Sequence, residues 1–419
     1  MPQPINRDNV YPWLALLRAK YVGSGVARQL VKHFGSIERV MQATYDELKP
    51  FNKGSHDIAK SIREAIEGKF DQAIDKELRW CEKKGVSILL YEDETFPEPL
   101  RHIPSPPALL YVKGKLLPED VLSLGVVGTR SATDSARRTT KQICHQLAEA
   151  GLTIISGMAF GIDAAAHMGA LKSKQGRTLA VLGNGLKYTY PREHQNLADQ
   201  IASRGALITE LFHDVAPDKR NFPPRNRIIS GLSMGVLVAE APKSSGALIT
   251  ARYALDQGRE VFALPGAIDA LSAEGSNQLI HDSAAQLVSS ADQILDDLSD
   301  PIAFYQKMLE GSIPRVERSA SLPSAPAPQT PQAAPSKPNL DEAIEEAVQK
   351  PRSDISPELA SLSEDERQVF ERLADDPKHI DVVCRELGWP MGRVSSALGL
   401  LELKGVAERE AGMRFRKAG

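Results

Sequence analysis

The chain has 419 residues, of which 42% are hydrophobic and 25% charged, and its net charge is −3 at pH 7. This length predicts two or three domains, and the charge balance excludes a protein that coats nucleic acid over its whole surface but not a local basic groove. No window reaches the ~18 apolar residues of a membrane span and no signal peptide is recognisable, so we expect a cytoplasmic protein without membrane attachment.

Residues 1–80 are predicted to form a helical cap. The segments "YPWLALLRAK" and "ARQLVKHF" place apolar residues at helical spacing, and "VGSG" between them is a turn. Two short helices joined in this way are typical of helix-hairpin-helix or SAM-like modules, in which the amides of the turn can hold a phosphate. An all-α cap without a ligand explains the same pattern, so both interpretations stay open.

From about Leu122 onward, short apolar runs such as "LTIISG" and "GVLVAEA" alternate with amphipathic helices. Near-continuous Val, Ile and Leu strands that alternate with helices are typical of a parallel sheet covered on both faces. We therefore predict an α/β core over residues 84–300, built as an extended Rossmann-like, doubly wound parallel sheet.

Residues 311–358 are predicted to be a linker. Within them, residues 320–339 contain six prolines and no aromatic residue, and such a segment buries too little apolar surface to fold. Three helices and a short hairpin follow over residues 359–419, which is the pattern of a winged helix. Arg393 and Lys404 are the cations of its third helix, so duplex binding and protein contact both remain as interpretations.

The loops at the carboxyl ends of the strands are the expected ligand site of such a sheet. Three glycine-rich turns precede a helix there, at Gly128–Ser131, Gly157–Asp163 and Ser244–Gly246, and this geometry binds anions. The first turn lacks the G-x-G-x-x-G pattern of a dinucleotide site, and the expected acidic residue does not follow. The three cysteines lie far apart in sequence, so we predict neither a cofactor nor a metal.

Basic and aromatic residues concentrate on the same loops. The basic ones are Arg130, Lys187, Arg192, Lys219, Arg220, Arg225, Arg227 and Lys243, and the aromatic ones are Phe160, Tyr188, Tyr190 and Phe222. A solvated surface or core packing explains any one of these side chains alone. Cations that crowd one rim repel one another unless an anion binds, and cations beside aromatic rings are typical of single-strand nucleic-acid binding.

No catalytic constellation is recognisable, since the HExxH and GxSxG motifs are absent. Asp163 and His167 lie four residues apart and are interpreted as a helix cap and a helix-face histidine. We therefore predict no enzymatic activity. One alternative is a Rossmann-like enzyme that hydrolyses nucleotides, but it needs a "PGGxGT" loop where this chain has "LPGAIDA". The other alternative is a winged-helix regulator that binds duplex DNA.

The motifs "GVVGTRSAT", "SGMAFGIDAAAH", "GNGLKYTYPREHQNL", "FPPRNRIISGLS" and "SGALITARYALDQGREVFALPG" occur in this order between residues 125 and 266. In these motifs the chain resembles the DNA-processing protein A family, DprA, also called Smf. The resemblance implies a bacterial cytoplasmic protein, without established catalytic activity, that binds and protects single-stranded DNA in natural transformation. It further implies a homodimer that loads a RecA-type recombinase onto the DNA.

Taken with the glycine-rich turns, the resemblance implies a set of DNA-binding residues. They are Gly128, Thr129, Arg130, Gly157, Arg192, Phe222, Arg225, Asn226, Arg227, Lys243, Ser245 and Gly246. Thr129 stands where the family has Ser or Ala, which is a mild departure. Arg225 and Arg227 are two residues apart, about 200° around a helix. We therefore expect one of them to line the groove and the other to pair with a carboxylate such as Glu210 or Glu240.

Overall fold

The computed structural model describes residues 6–311, 362–389, 391–410 and 413–418. The predicted linker at 311–358 therefore lies, apart from its first residue, outside the described residues. Within the described ranges, no helix is long and apolar enough to cross a lipid bilayer.

The cap consists of six α-helices between residues 6 and 84, all of which are described. They are α1 (Arg7–Arg18), α2 (Ser24–Phe34), α3 (Ile37–Met41), α4 (Tyr45–Leu48), α5 (Ile58–Ile66) and α6 (Asp71–Lys84). Local sequence explains several helix ends: Thr44 and Glu47 form a reciprocal capping box at α4, and Gly85 ends α6 in the left-handed conformation. Trp13 and Leu30 are buried where the helices pack together.

A nine-stranded sheet lies within residues 86–287, with the strand order β1-β2-β6-β5-β4-β3-β7-β8-β9. The strands are β1 (Val86–Leu90), β2 (Leu109–Gly114), β3 (Ser123–Val127), β4 (Thr153–Ser156), β5 (Thr178–Val181), β6 (Ala206–Thr209), β7 (Gly235–Val238), β8 (Glu260–Ala263) and β9 (Gln286–Leu287). Every pair from β6 to β9 in this order is parallel, which confirms the predicted doubly wound sheet. The strand order reverses at the neighbouring strands β3 and β7, and their carboxyl ends therefore open a crevice.

Strands β1 and β2 extend one edge of the sheet as an antiparallel pair. The apolar pattern that begins near Leu122 does not include them. Val86, Ile88 and Leu90 of β1 belong to the same buried cluster as the cap helices. The cap and the sheet therefore share a hydrophobic core at this edge.

Helices cover both faces of the sheet. They are α7 (Glu98–Arg101), α8 (Asp134–Glu149), α9 (Ile162–Lys172), α10 (Gln195–Arg204), α11 (Phe222–Leu232), α12 (Ala247–Asp256), α13 (Glu274–His281), α14 (Ala291–Asp297) and α15 (Ser299–Leu309). One buried cluster joins α8, α9, α14 and α15 to β3 and β4, and another joins α11 and α12 to β7 and β8. Burial on both faces explains why the central strands are continuous apolar runs.

The C-terminal part is a winged helix, as predicted. Its described helices are α16 (Glu364–Arg372), α17 (Ile380–Leu387) and α18 (Met391–Leu403), and its strands are β10 (Lys378–His379), β11 (Ala407–Glu410) and β12 (Arg414–Lys417). The strands pair in the order β10-β12-β11. Gly388 makes the left-handed turn after α17, and Val369, Val383 and Val394 are fully buried in a separate core.

Candidate nucleic-acid interface

The loop that carries Arg130 is held by its neighbours in the crevice between β3 and β7. The Thr129 amide donates a hydrogen bond to the carbonyl oxygen of Glu240 at 2.7 Å. Any Cβ on Gly128 would overlap the side chain of Ile162, so a glycine is required for this close approach. The loop backbone is therefore fixed, while the Arg130 side chain is exposed. It lies on the rim, by which we mean the loops at the carboxyl ends of the parallel strands.

Aromatic rings lie directly beside Arg130. The ring of Phe222, at the start of α11, lies with its centroid 5.1 Å from the Arg130 guanidinium carbon. Tyr190, which is exposed, stacks on Phe222 with the ring centroids 5.7 Å apart and an angle of 29° between the planes. The motif-based residue set omits Tyr190, although its position between basic residues in "KYTYPRE" is a signal for it. Cation and stacking surface thus adjoin each other.

Arg225 lies beneath this surface and not on it. Its side chain is buried, and its Nη1 donates hydrogen bonds to the carbonyl oxygens of Gly157, at 3.1 Å, and Val181. Burial lowers the pKa of the Arg225 guanidinium to about 10, with the nearby Asp163 carboxylate opposing the shift. The expectation that one arginine of the pair lines the groove is therefore wrong for Arg225, because the helix turns its side chain toward the loops after β4 and β5.

Arg227 pairs with Glu210, one of the two carboxylates that the sequence indicated. Its Nη2 lies 2.6 Å and 2.5 Å from the two carboxylate oxygens of Glu210, and both side chains are largely buried. Ser24 at the start of α2 also reaches Glu210, with 3.5 Å between Oγ and Oε2. The neighbouring Asn226 donates from Nδ2 to the carbonyl oxygen of Gly246 at 3.3 Å, which ties α11 to the start of α12.

The remaining basic residues differ in how far local acids neutralise them. Lys187, Arg192 and Lys219 are exposed on the loops after β5 and β6. Lys243, after β7, lies 3.3 Å from Glu274 in an exposed pair, which solvent makes weak. Arg220 lies 2.7 Å from Asp218 in another pair whose arginine is exposed.

The turn between β7 and α12 uses several of its own amides in internal hydrogen bonds. The Ser245 amide donates to the carbonyl oxygen of Pro242 at 2.9 Å, and the Ser245 hydroxyl accepts from the Ala247 amide at 3.2 Å. Gly246 directly precedes α12, and no atom lies within 4 Å of where its Cβ would be. There is room at the start of this helix beside Lys243, but the amides of Ser245 and Ala247 are already engaged, so these two amides do not form the anion site predicted at Ser244–Gly246.

The carboxylates of the crevice serve to hold loops together. Glu240 is buried and accepts hydrogen bonds from the Thr133 amide and the Ser272 hydroxyl, both at 2.8 Å. Asp163 accepts from the amide of Ala159 at 3.2 Å, and burial raises the pKa of its carboxyl group. No group of three potential metal ligands occurs among the described residues.

His167, which the sequence placed four residues from Asp163, does not pair with it. The ring is fully buried on α9, and its Nδ1 lies 2.6 Å from the Thr178 hydroxyl oxygen. Burial lowers the pKa of the His167 imidazole to about 3. A neutral, buried histidine of this kind is part of the core.

The arrangement defines a class of protein: a Rossmann-like scaffold whose switch-point rim combines exposed cations with stacked aromatic rings. Comparison with known proteins identifies the family. A sequence model of the family "DNA recombination-mediator protein A" matches residues 87–299, a "DprA winged helix domain" matches residues 353–413, and a "helix-hairpin-helix motif" matches residues 14–73. The chain belongs to the DNA recombination-mediator protein A family, which confirms the resemblance seen in its motifs.

Relatives and a solved structure agree with this assignment. Protein Smf of Synechocystis sp. is 34% identical over 416 residues, which is 98% of this chain and 99% of that protein. DNA processing protein DprA of Streptococcus pneumoniae is 42% identical over 204 residues, covering 48% of this chain and 71% of the relative. The X-ray structure of DprA from Streptococcus pneumoniae superposes with a TM-score of 0.61 at 30% identity and covers 68% of this chain and 96% of that chain.

Proposed function

We propose that the protein binds single-stranded DNA along the rim, without sequence preference, as a recombination mediator. One observation carries the proposal: the exposed Arg130 lies against the ring of Phe222, and Tyr190 stacks on that ring. A cation beside a stacking surface holds a phosphate and its neighbouring base together. Bases in a duplex are already stacked and paired, so the rings favour a strand whose bases are open.

The family and the rim together support the finer role. As a mediator in natural transformation, the protein would protect incoming single strands and load a RecA-type recombinase onto them in the cytoplasm, acting as a homodimer. We further propose that it has no catalytic activity, because Glu240, Asp163 and Glu210, the carboxylates near these strand ends, are all engaged in structural hydrogen bonds. A nucleotide hydrolase would need one of them directed at the substrate.

Replacing two exposed rim cations tests the site. We expect Arg130→Ala with Lys243→Ala to weaken binding of oligo-dT by about tenfold or more, since each lost charge-assisted contact costs about 1 kcal/mol or above. The slope of log K against log salt should also become shallower by about 0.7 for each lost phosphate contact. Fluorescence anisotropy at several salt concentrations measures both quantities.

The matched control removes two exposed cations from the outer face of α8, in Arg138→Ala with Lys141→Ala. This variant changes net charge equally and should bind as the wild type does. Equal affinity of the rim variant and the wild type would refute the site assignment. Stronger binding of duplex than of single strand would favour a duplex regulator, and turnover of a nucleoside monophosphate would favour the enzyme.

A further inference from the structure

Phe160 is an aromatic residue of the rim that the sequence motifs do not assign to the site. It is 44% exposed, although it sits on the turn between β4 and α9, next to the loop of Arg130. Leaving a phenyl ring in water forfeits the free energy that burial would provide. Single exposed apolar side chains are common on protein surfaces, so the exposure of Phe160 matters because of its place on this rim.

The backbone of this turn is fixed. Gly161 has a φ of 75° and packs so closely on the carbonyl oxygen of Arg130 that any Cβ would overlap it. Met158 is buried with a φ of 59°, and its carbonyl oxygen accepts a hydrogen bond from His194 Nδ1 at 2.9 Å. The turn therefore cannot rotate the ring of Phe160 into the core.

The ring of Phe160 is supported from one side by His194. The two ring centroids are 4.9 Å apart and the planes are inclined by 67°, an edge-to-face contact. His194 ends the short 3-10 helix that begins at Arg192, two residues after the exposed ring of Tyr190. The loop that carries one stacking ring thus also orients the other.

A depression of about 350 Å³ opens beside His194, between α9 and α10. Its wall includes the exposed side chain of Met168 and the amide groups of Asn196 and Gln200. Lys172 and Glu193 also line it and carry opposite charges, so these two side chains give it no net charge. Its volume falls in the range of small-ligand sites, roughly 300–1,000 Å³. An uncharged hollow with apolar and amide surfaces suits a nucleobase better than a phosphate.

We propose that Phe160 is a second stacking position for a nucleobase of the bound strand, and that the depression beside His194 receives the following base. This inference rests on the proposed function. Because β4 lies between β3 and β5 in the sheet, the turn of Phe160 lies between the loops of Arg130 and Arg192. A strand whose phosphates follow these cations passes over the ring, and a rigidly held ring stacks a base at little ordering cost.

Graded lengths of oligo-dT test the second position. We expect Phe160→Ala to weaken binding of oligonucleotides that reach both stacking positions by about fivefold or more, as loss of one base–ring contact does. The shortest oligonucleotides that bind should be unaffected, and the salt slope should not change because no phosphate contact is lost. Phe160→Trp should restore the affinity. Leu255→Ala is the control, since Leu255 is likewise 44% exposed, on α12.

Equal affinity of Phe160→Ala and the wild type at every length would overturn the inference. The proposed function would survive that result if the Arg130 and Lys243 variant still bound weakly. A second measurement needs no variant: oligonucleotides that contain 5-iodouracil are photo-crosslinked to the wild-type protein and the linked peptides are identified by mass spectrometry. A link to the peptide of Phe160 is expected, and links confined to the peptides of Tyr190 and Phe222 would contradict the second position.

Discussion

At the scale of the residue, two arginines of one motif have different roles. Arg227 is matched by Glu210, whereas Arg225 is buried under the stacking ring with its guanidinium carbon 5.9 Å from the centre of Phe222. With a pKa near 10, Arg225 remains charged at neutral pH. It therefore adds a fixed positive charge below the groove while it holds the loops after β4 and β5 in position.

Replacing Arg225 by Met tests the scaffold role. Met fills much of the same volume, but the carbonyl oxygens of Gly157 and Val181 lose their donor and Asp163 loses its compensating charge. We expect a loss of about 3 kcal/mol or more in the free energy of unfolding, as is usual when one partner of a buried charge network is removed. Urea denaturation measures this. Arg220→Ala, which removes an exposed arginine two positions before Phe222, should leave the urea midpoint unchanged, and an unchanged midpoint for the Met variant would refute the scaffold role.

At the scale of the element, the cap supports the rim that we propose to bind DNA. Glu77 of α6 is completely buried and accepts hydrogen bonds from the backbone amide of His213 at 2.9 Å and from Arg18. His213 in turn contacts the loop after β5, because the His213 carbonyl oxygen accepts a hydrogen bond from the Lys187 amide at 3.0 Å. A carboxylate of the cap thus fixes, through one intermediate segment, the loop that carries Lys187 and Tyr190.

Glu77→Gln should therefore weaken single-strand binding without removing any residue of the rim. The amide retains only part of the hydrogen bonding and leaves Arg18 without a counter-charge, so the loop at 183–190 should loosen. Hydrogen exchange is expected to be faster there, and oligo-dT affinity to fall about threefold to tenfold, if the lost order costs about 1 kcal/mol. Asp75→Asn on the same helix is the control, because Asp75 forms an exposed pair with Arg7. Unchanged exchange at 183–190 would contradict the coupling.

The strands and their contacts also show what the sequence could and could not predict. The central strands were predictable because each is a continuous apolar run that only a doubly covered strand needs. Strand β1 was not, because its residues alternate between buried and half-buried positions and part of its burial comes from the cap. The bond between Glu77 and His213 joins residues 136 positions apart, and no local spacing carries such information. Likewise, "FPPRNR" indicates two arginines on a helix but not which of them lies under the ring of Phe222 and which pairs with Glu210.

At the scale of the whole molecule, the winged helix contacts the core near the amino ends of the parallel strands, opposite the rim. Arg259, at the amino end of β8, is buried and lies 2.9 Å from Asp381 of α17. The guanidinium carbon of Arg385, on α17, lies 4.4 Å from the ring centre of Phe304, on α15. Because the rim lies at the carboxyl ends of the parallel strands, the winged helix does not adjoin the groove.

The third helix of this domain has few cations available for duplex DNA. Arg393 lies 2.6 Å from Asp365, and its guanidinium carbon lies 3.7 Å from the ring centre of Trp389. Lys404 lies 2.7 Å from Glu366. Duplex binding needs cations that replace the counterions of the phosphates. The Arg393 pair is exposed and therefore weak, whereas Lys404 pairs with a buried carboxylate. Duplex binding and protein contact therefore both stay predictions for this domain, and the core of this chain is one protein surface that it contacts.

Asp381→Asn should release the winged helix from the core. The change leaves Arg259 buried without a counter-charge, and breaking a buried ion pair in this way typically costs 3–5 kcal/mol. We expect a larger radius of gyration by small-angle X-ray scattering and unchanged affinity for oligo-dT, since the rim is distant. Asp365→Asn, which removes an exposed pair within the winged helix, should leave the radius unchanged. An unaltered radius for Asp381→Asn would show that the ion pair does not hold the domains together.

Acidification should also release the winged helix from the core. Burial lowers the pKa of the His379 imidazole, while Asp381 and Asp300 oppose the shift and Arg259 and Arg414 add to it. The docked form therefore binds this proton less readily than a form in which His379 is exposed and has the ordinary pKa of a histidine. Docking is strongest above that value and weakens as the pH falls below it. Scattering at pH 7.5 and 5.5 should show the wild type expanding at the lower pH, and His379→Gln should remove most of that pH dependence.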